Sequence, residues 1–111
     1  MPIKRNFREM LEVLWSRGNF VCVGLDSEFG KIPEFIREHY MIRSALFIFN
    51  ANIVDTTKDI VCAYKPNIAF YEACGKDGLL ALYDTIAYIH RVAPDVPVIL
   101  DAKRADIGNT N

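Results

Sequence analysis

The residues best equipped for chemistry are Asp101-x-Lys103-x-x-Asp106, two carboxylates and an ammonium that follow directly on the apolar run Val96-Pro97-Val98-Ile99-Leu100. A short run rich in Val and Ile reads as a buried strand. Side chains alternate along a strand, so Asp101 and Lys103 fall on one face at its carboxyl end, where parallel sheets carry their functional groups. Taken alone, an Asp-x-Lys pair is an ordinary ion pair at a strand end. Two more apolar runs end in the same way, in Asp26 and in Lys65. With Lys65, Asp101, Lys103 and Asp106 close together, each unlike pair about 4 Å apart gains about 4 kcal/mol at an effective dielectric near 20, before desolvation. Such an alternating array holds Lys103 as a charged proton donor beside a centre where negative charge develops, and sets Asp101 against an incoming anion. That suits carbanion chemistry.

Other chemistries find no support. His39 and His90 are the only imidazoles; they lie far apart without ligand spacing, so no zinc site is expected, and neither lies at a strand end, so no Ser-His-Asp hydrolase is expected. No Gly-x-x-x-x-Gly-Lys or Gly-x-Gly-x-x-Gly phosphate loop occurs. Cys22, Cys62 and Cys74 form no Cys-x-x-Cys pair and read as reduced core thiols.

The elements that must position these charges alternate between helix and strand. Ile3, Phe7, Met10, Leu11 and Leu14 recur at helical spacing and Arg17-Gly18 supplies a stop, giving a helix over 3–17. Phe20 to Leu25 reads as a first strand ending at Asp26-Ser27; residues 27–33 form a loop before Pro33, and the apolar pattern continues in two pieces to about Lys58. Asp59 to Tyr64 reads as a second strand, terminated by Lys65-Pro66-Asn67 because proline cannot donate to a central ladder. A short apolar segment runs from Ile68 to Cys74, and Gly75-Lys76-Asp77-Gly78 breaks the chain. Leu79 to Val92 is a helix with Leu79, Leu80, Tyr83, Ile86, Ala87 and His90 in phase, and Val96 to Leu100 is the third strand. Helical segments between strands, with no hairpin signal, imply parallel pairing through right-handed crossovers.

In this reading one face holds Cys22, Gly24 and Asp26 on the first strand, Val61, Ala63 and Lys65 on the second, and Ile99, Asp101 and Lys103 on the third. The opposite face, with Val21, Val23, Leu25, Tyr64, Val98 and Leu100, meets the helices. Small or apolar residues beneath a charged carboxyl end are what the interior of a parallel barrel requires.

The chain has 111 residues, 51% of them hydrophobic and 24% charged, with a net charge of -1. That size allows one domain, well short of the roughly 250 residues of an eight-stranded barrel. The balance gives no electrostatic reason to expect nucleic acid or an anionic membrane. Asn50 and Asn52 interrupt the longest apolar stretch, so no membrane span is expected, and the amino terminus lacks an apolar signal core, which points to the cytoplasm.

Asp101-x-Lys103-x-x-Asp106-Ile107-Gly108-Asn109-Thr110, with Gly24-Leu25-Asp26 and Tyr64-Lys65-Pro66-Asn67 upstream, resembles the orotidine 5'-monophosphate decarboxylase family. The resemblance spans nearly the whole chain and about the first half of that family's (β/α)8 barrel, so residues 1–111 are expected to form a single unit, the amino-terminal portion of a TIM barrel with its first three strands. It implies conversion of orotidine 5'-monophosphate to uridine 5'-monophosphate and carbon dioxide, in pyrimidine biosynthesis, without metal or organic cofactor. Lys103 would protonate carbon 6 of the pyrimidine, Asp101 would lie against the departing carboxylate, and Asp26 and Lys65 would hold ribose hydroxyls, with Asn67 beside the substrate. Asp106, Ile107 and Thr110 would reach the second site of a homodimer. The family's phosphate-gripping loops belong to later strands, so the isolated chain is expected to be weak or inactive. Two alternatives stay open: a sugar-phosphate decarboxylase or aldolase of the same superfamily, and a non-catalytic half-barrel that associates through its open edges.

Overall fold

The computed structural model describes residues 6–101. Helix α1 (Phe7–Ser16) is capped by Asn6, whose side chain accepts a hydrogen bond from the Glu9 amide at 3.1 Å, and it ends where Gly18 takes a left-handed φ of 85°. Strand β1 (Val21–Leu25) leads through a 3-10 turn at Phe29–Lys31 into α2 (Glu34–His39), with Pro33 as its cap, and α3 (Ile42–Thr57). Strand β2 (Val61–Pro66), α4 (Ile68–Glu72) and α5 (Gly75–Val92) complete the described elements. The apolar pattern after Pro33 is thus two helices.

β1 and β2 pair in parallel, Cys22 opposite Ala63 and Gly24 opposite Lys65, with an irregularity between Val21 and Cys22. The third strand expected over Val96–Leu100 is realised as two isolated parallel bridges to β2, Tyr64 with Val98 and Asn67 with Asp101. β2 ends at Pro66, within the expected Lys65-Pro66-Asn67 stop but two residues past Tyr64, so Lys65 and Pro66 belong to the strand. On the side facing the third segment the rungs run from the Tyr64 amide to the Pro97 carbonyl (3.1 Å), from the Ile99 amide to the Tyr64 carbonyl (2.8 Å), and from the Asp101 amide to the Pro66 carbonyl (2.9 Å). Only the rung that a Pro66 N–H would have made is lost, and the proline carbonyl carries the ladder onward.

The helix-facing side packs Leu25, Val54, Val61, Tyr64, Ile89 and Val98 into one buried cluster, closed at the amino-terminal end of the strands by Leu14. Tyr64 is wholly buried and satisfies its hydroxyl against Thr57 Oγ1 (2.7 Å) and the Val54 carbonyl (3.2 Å) of α3. Four expectations about faces fail. Val21 and Leu100 are exposed, Val21 at the strand irregularity, and Val61 and Ala63 are buried in that same cluster. In α5 the buried residues are Gly78, Ala81, Leu82, Thr85 and Ile89, whereas Leu79, Tyr83 and His90 are exposed.

That inversion has a steric cause. α5 packs against both α3 and α4, and small side chains permit the approach. A Cβ at Gly78 would sit 2.0 Å from the Tyr71 carbonyl oxygen. Gly75-Lys76-Asp77-Gly78 is therefore the first turn of α5 instead of a break: Gly75 supplies a left-handed φ of 67° and Gly78 the close contact with α4.

Candidate active site

The charged ends of the strands converge at the carboxyl edge of the sheet. Asp26 follows the last residue of β1 and is exposed, and its carboxylate lies over Gly24, with Oδ2 3.7 Å from where a Cβ at position 24 would be. Gly24 pairs with Lys65, and neighbours in a parallel ladder project to the same side, so Asp26 and Lys65 share the outer, exposed face. Asn67 and Asp101, two residues further along their strands, are bridged on that face. Asp101 is half-buried and held on both sides of its peptide: its N–H donates to the Pro66 carbonyl at 2.9 Å and its C=O accepts from the Ile68 amide at 3.0 Å. Asn67 turns its side-chain oxygen to the Ala69 amide at 3.0 Å, capping α4. Lys103, Asp106, Ile107 and Thr110 lie outside the described residues.

Beneath these groups the residues are small: Cys22 and Gly24 are exposed, and Ala63, paired with Cys22, is buried. Cys22 is exposed there and is not the core thiol expected, while Cys62 is buried and Cys74 half-buried. Burial and the Cys62 thiol push the Cys22 thiol above its ordinary range, and the Lys65 ammonium pulls it down, which marks Lys65 as a charge acting across this face. Ion pairs among the described residues include Arg8–Glu12, Arg17–Asp95, Lys31–Glu28 and Arg43–Asp84, and Asp26 and Lys65 take part in none of these. The strand-end ammonium and carboxylate are thus available to a third group instead of being spent on each other.

One set of residues at this edge escaped the sequence reading. Ser27, Asn50, Tyr71 and Thr85 are all buried and hydrogen-bonded in one network directly behind Asp26. Burial pushes the Tyr71 phenol above its ordinary range, against the opposing effect of its Ser27 and Asn50 neighbours. A partial signal was present: Asn50 is one of two amides, with Asn52, in the longest apolar run of the chain. A helix that places one amide among Leu and Phe neighbours has to find partners for it. Among the described residues no group of three or more His, Cys, Asp or Glu is placed to hold a metal ion, and no helix is long and apolar enough to cross a membrane.

Residues 20–111 match the family model described as Orotidine 5'-phosphate decarboxylase / HUMPS family. The orotidine 5'-phosphate decarboxylase of Christiangramia forsetii is 47% identical over 104 residues, covering 94% of this chain and 37% of the relative. That of Parabacteroides distasonis is 42% identical over 106 residues, covering 96% and 37%. Among solved structures, the Leishmania donovani OMP decarboxylase superposes with a TM-score of 0.70 at 31% identity, over 90% of this chain and 34% of that one. The chain therefore spans just over a third of the length of the curated relatives, and its parallel β/α units are those of the TIM barrel these relatives form. With its match running from β1 through the Asp-x-Lys-x-x-Asp segment, the chain belongs to the orotidine 5'-phosphate decarboxylase / HUMPS family.

Proposed function

We propose that this chain is the catalytic-charge-bearing, amino-terminal portion of an orotidine 5'-phosphate decarboxylase, a single unit over residues 1–111 that acts in the cytoplasm as part of a homodimer with shared sites. The observation that carries the reading is the common face of Asp26 and Lys65, continued by Asn67 and Asp101, at the carboxyl edge of a parallel sheet whose sequence belongs to the decarboxylase family. The reaction breaks the bond between carbon 6 of the pyrimidine and its carboxylate. Carbon dioxide leaves, the electron pair stays on carbon 6, and the Lys103 ammonium delivers a proton there to give uridine 5'-monophosphate. The work asked of the protein is electrostatic, and fixed charges do it without reorganising during the reaction.

Each residue then has a place. Asp101, anchored through both halves of its peptide, faces the departing carboxylate, where a rigid like charge disfavours the ground state more than the transition state. Asp26 and Lys65 grip ribose hydroxyls, Lys65 supports the charge array, and Asn67 lines the substrate's edge. Asp106, Ile107 and Thr110 complete the partner's site. No cofactor enters the reaction as written.

The test is carbon dioxide release from orotidine 5'-monophosphate by the full-length gene product that carries these residues, alongside its Lys103→Ala variant. Removal of the proton donor is expected to lower kcat by at least about a hundredfold, the scale of general acid catalysis. An unimpaired variant, or a parent without turnover, would sink the assignment.

A further inference from the structure

Asn50 is fully buried at the middle of α3 and makes three hydrogen bonds. Its Oδ1 accepts from the Ser27 hydroxyl, and its Nδ2 donates to the Tyr71 hydroxyl and to Thr85 Oγ1, both at 3.0 Å. The Tyr71 hydroxyl in turn donates to the Leu25 carbonyl at 2.7 Å, and the Thr85 hydroxyl to the Ala81 carbonyl at 2.8 Å. Both amide hydrogens and all three hydroxyl hydrogens are therefore used.

What the network grips is specific. Leu25 and Ser27 are the two residues flanking Asp26, and each is tied to it, Leu25 through Tyr71 and Ser27 through Asn50. Tyr71 stands on α4, the helix that starts just after the Lys65 strand end. The backbone on either side of Asp26 is thus fastened to the element that carries Lys65 onward. A core built only for stability has no need of this, because apolar side chains of the same volume stabilise as well or better than buried polar ones.

We propose that Asn50 and Tyr71 are positioning residues that hold Asp26 beside Lys65 in the geometry needed to grip the ribose. The inference rests on the decarboxylase reading. Asn50 and Tyr71 touch no substrate and act through Asp26, so their effect on the reaction is confined to contacts that Asp26 makes.

The full-length gene product carrying these residues is compared with its Tyr71→Phe variant, which deletes one oxygen and keeps the ring. Substrates are orotidine 5'-monophosphate and its analogues lacking the 2'- or the 3'-hydroxyl. With the ribonucleotide, kcat/KM is expected to fall at least about tenfold, and with at least one deoxy analogue less than about threefold, as for the loss of a single hydrogen bond to a charged group. Ser27→Ala cuts the other tether and is expected to give the same dependence, which covers the case of a Tyr71→Phe chain that does not fold. Equal falls on all three substrates, or no fall, overturn the positioning role and leave the decarboxylase reading intact. A wild-type protein that turns over none of the three overturns the decarboxylase reading and this inference with it.

Discussion

Gly78→Ala sets two effects of opposite sign against each other. Gly78 lies within α5, and on helix propensity alone an alanine there gains about 1 kcal/mol. The surroundings oppose it. The new Cβ would stand 2.0 Å from the Tyr71 carbonyl oxygen and 2.8 Å from Cys74 Cβ, and real Cβ atoms essentially never approach below 3.0 Å, so α4 has to withdraw by about an ångström or more. The obstacle is backbone, which cannot swing aside as a flexible side chain would. Overpacking of this kind costs about 1–3 kcal/mol. Withdrawal of α4 also stretches the Tyr71 bonds to Leu25 (2.7 Å) and Asn50 (3.0 Å), each worth about 1 kcal/mol. The balance is a net loss of about 2 kcal/mol, or a fall in Tm of roughly 10 °C for a unit of this size. Urea unfolding followed by far-UV circular dichroism measures it, with Gly30→Ala as the control, since nothing lies within 4 Å of a Cβ there. A Gly78→Ala chain as stable as the wild type would refute the reasoning and put propensity ahead of the α4 contact.

Two further predictions concern pH. Burial raises the Tyr71 pKa, so its contribution to stability is whole below the ordinary tyrosine value of about 10 and is lost as pH rises through the raised one. Unfolding midpoints measured from about pH 8 to 11 should fall more steeply in the wild type than in Tyr71→Phe, and parallel alkaline slopes would contradict the assignment. The Arg43 guanidinium, which donates to both oxygens of Asp84 at 2.7 and 3.0 Å, holds that carboxyl below its usual range and ties α3 to α5. Its stabilisation is present above the ordinary aspartate value of about 3.9 and is lost as pH falls through the depressed one. Asp84→Asn should therefore lower Tm slightly at neutral pH and converge with the wild type in acid, the effect being small because the pair is largely solvated. A gap that persists in acid would point to packing instead.

Strand positions and the polarity of the sheet were legible because they depend on local pattern: Phe20–Leu25 was expected and Val21–Leu25 observed, and the period of two put Gly24 and Lys65 on the same side. The α1 stop at Gly18 was legible for the same reason. The phase of α5 was not. Sequence reading puts Leu79 and Tyr83 in the core, whereas the face packed against α3 and α4 is the one with Gly78, Ala81, Leu82, Thr85 and Ile89, its close approach to α4 set by Gly78. Pro66 misled in a different way, since a proline that loses one rung still offers its carbonyl, and here that carbonyl accepts from the Asp101 amide. The Asn50 network required four residues scattered from Ser27 to Thr85 to meet, and only its hub was marked, as a polar intruder in an apolar run.

These long-range contacts bear on how a polar sheet edge would be kept ready for the proposed substrate. Asp26 and Lys65 form no ion pair among the described residues, so neither charge fixes the other, and two exposed side chains at strand ends would wander without support. An ion pair would have fixed them, yet it would also have engaged the groups proposed to bind the ribose. The fold takes another route and fixes the backbone: Asp26 between the tethered Leu25 and Ser27, Lys65 opposite Gly24, and Asp101 between the rungs to Pro66 and Ile68. Rigidity then comes from uncharged hydrogen bonds buried behind the sheet edge, which leaves the charges in front unpaired with each other, as the proposed electrostatic role requires.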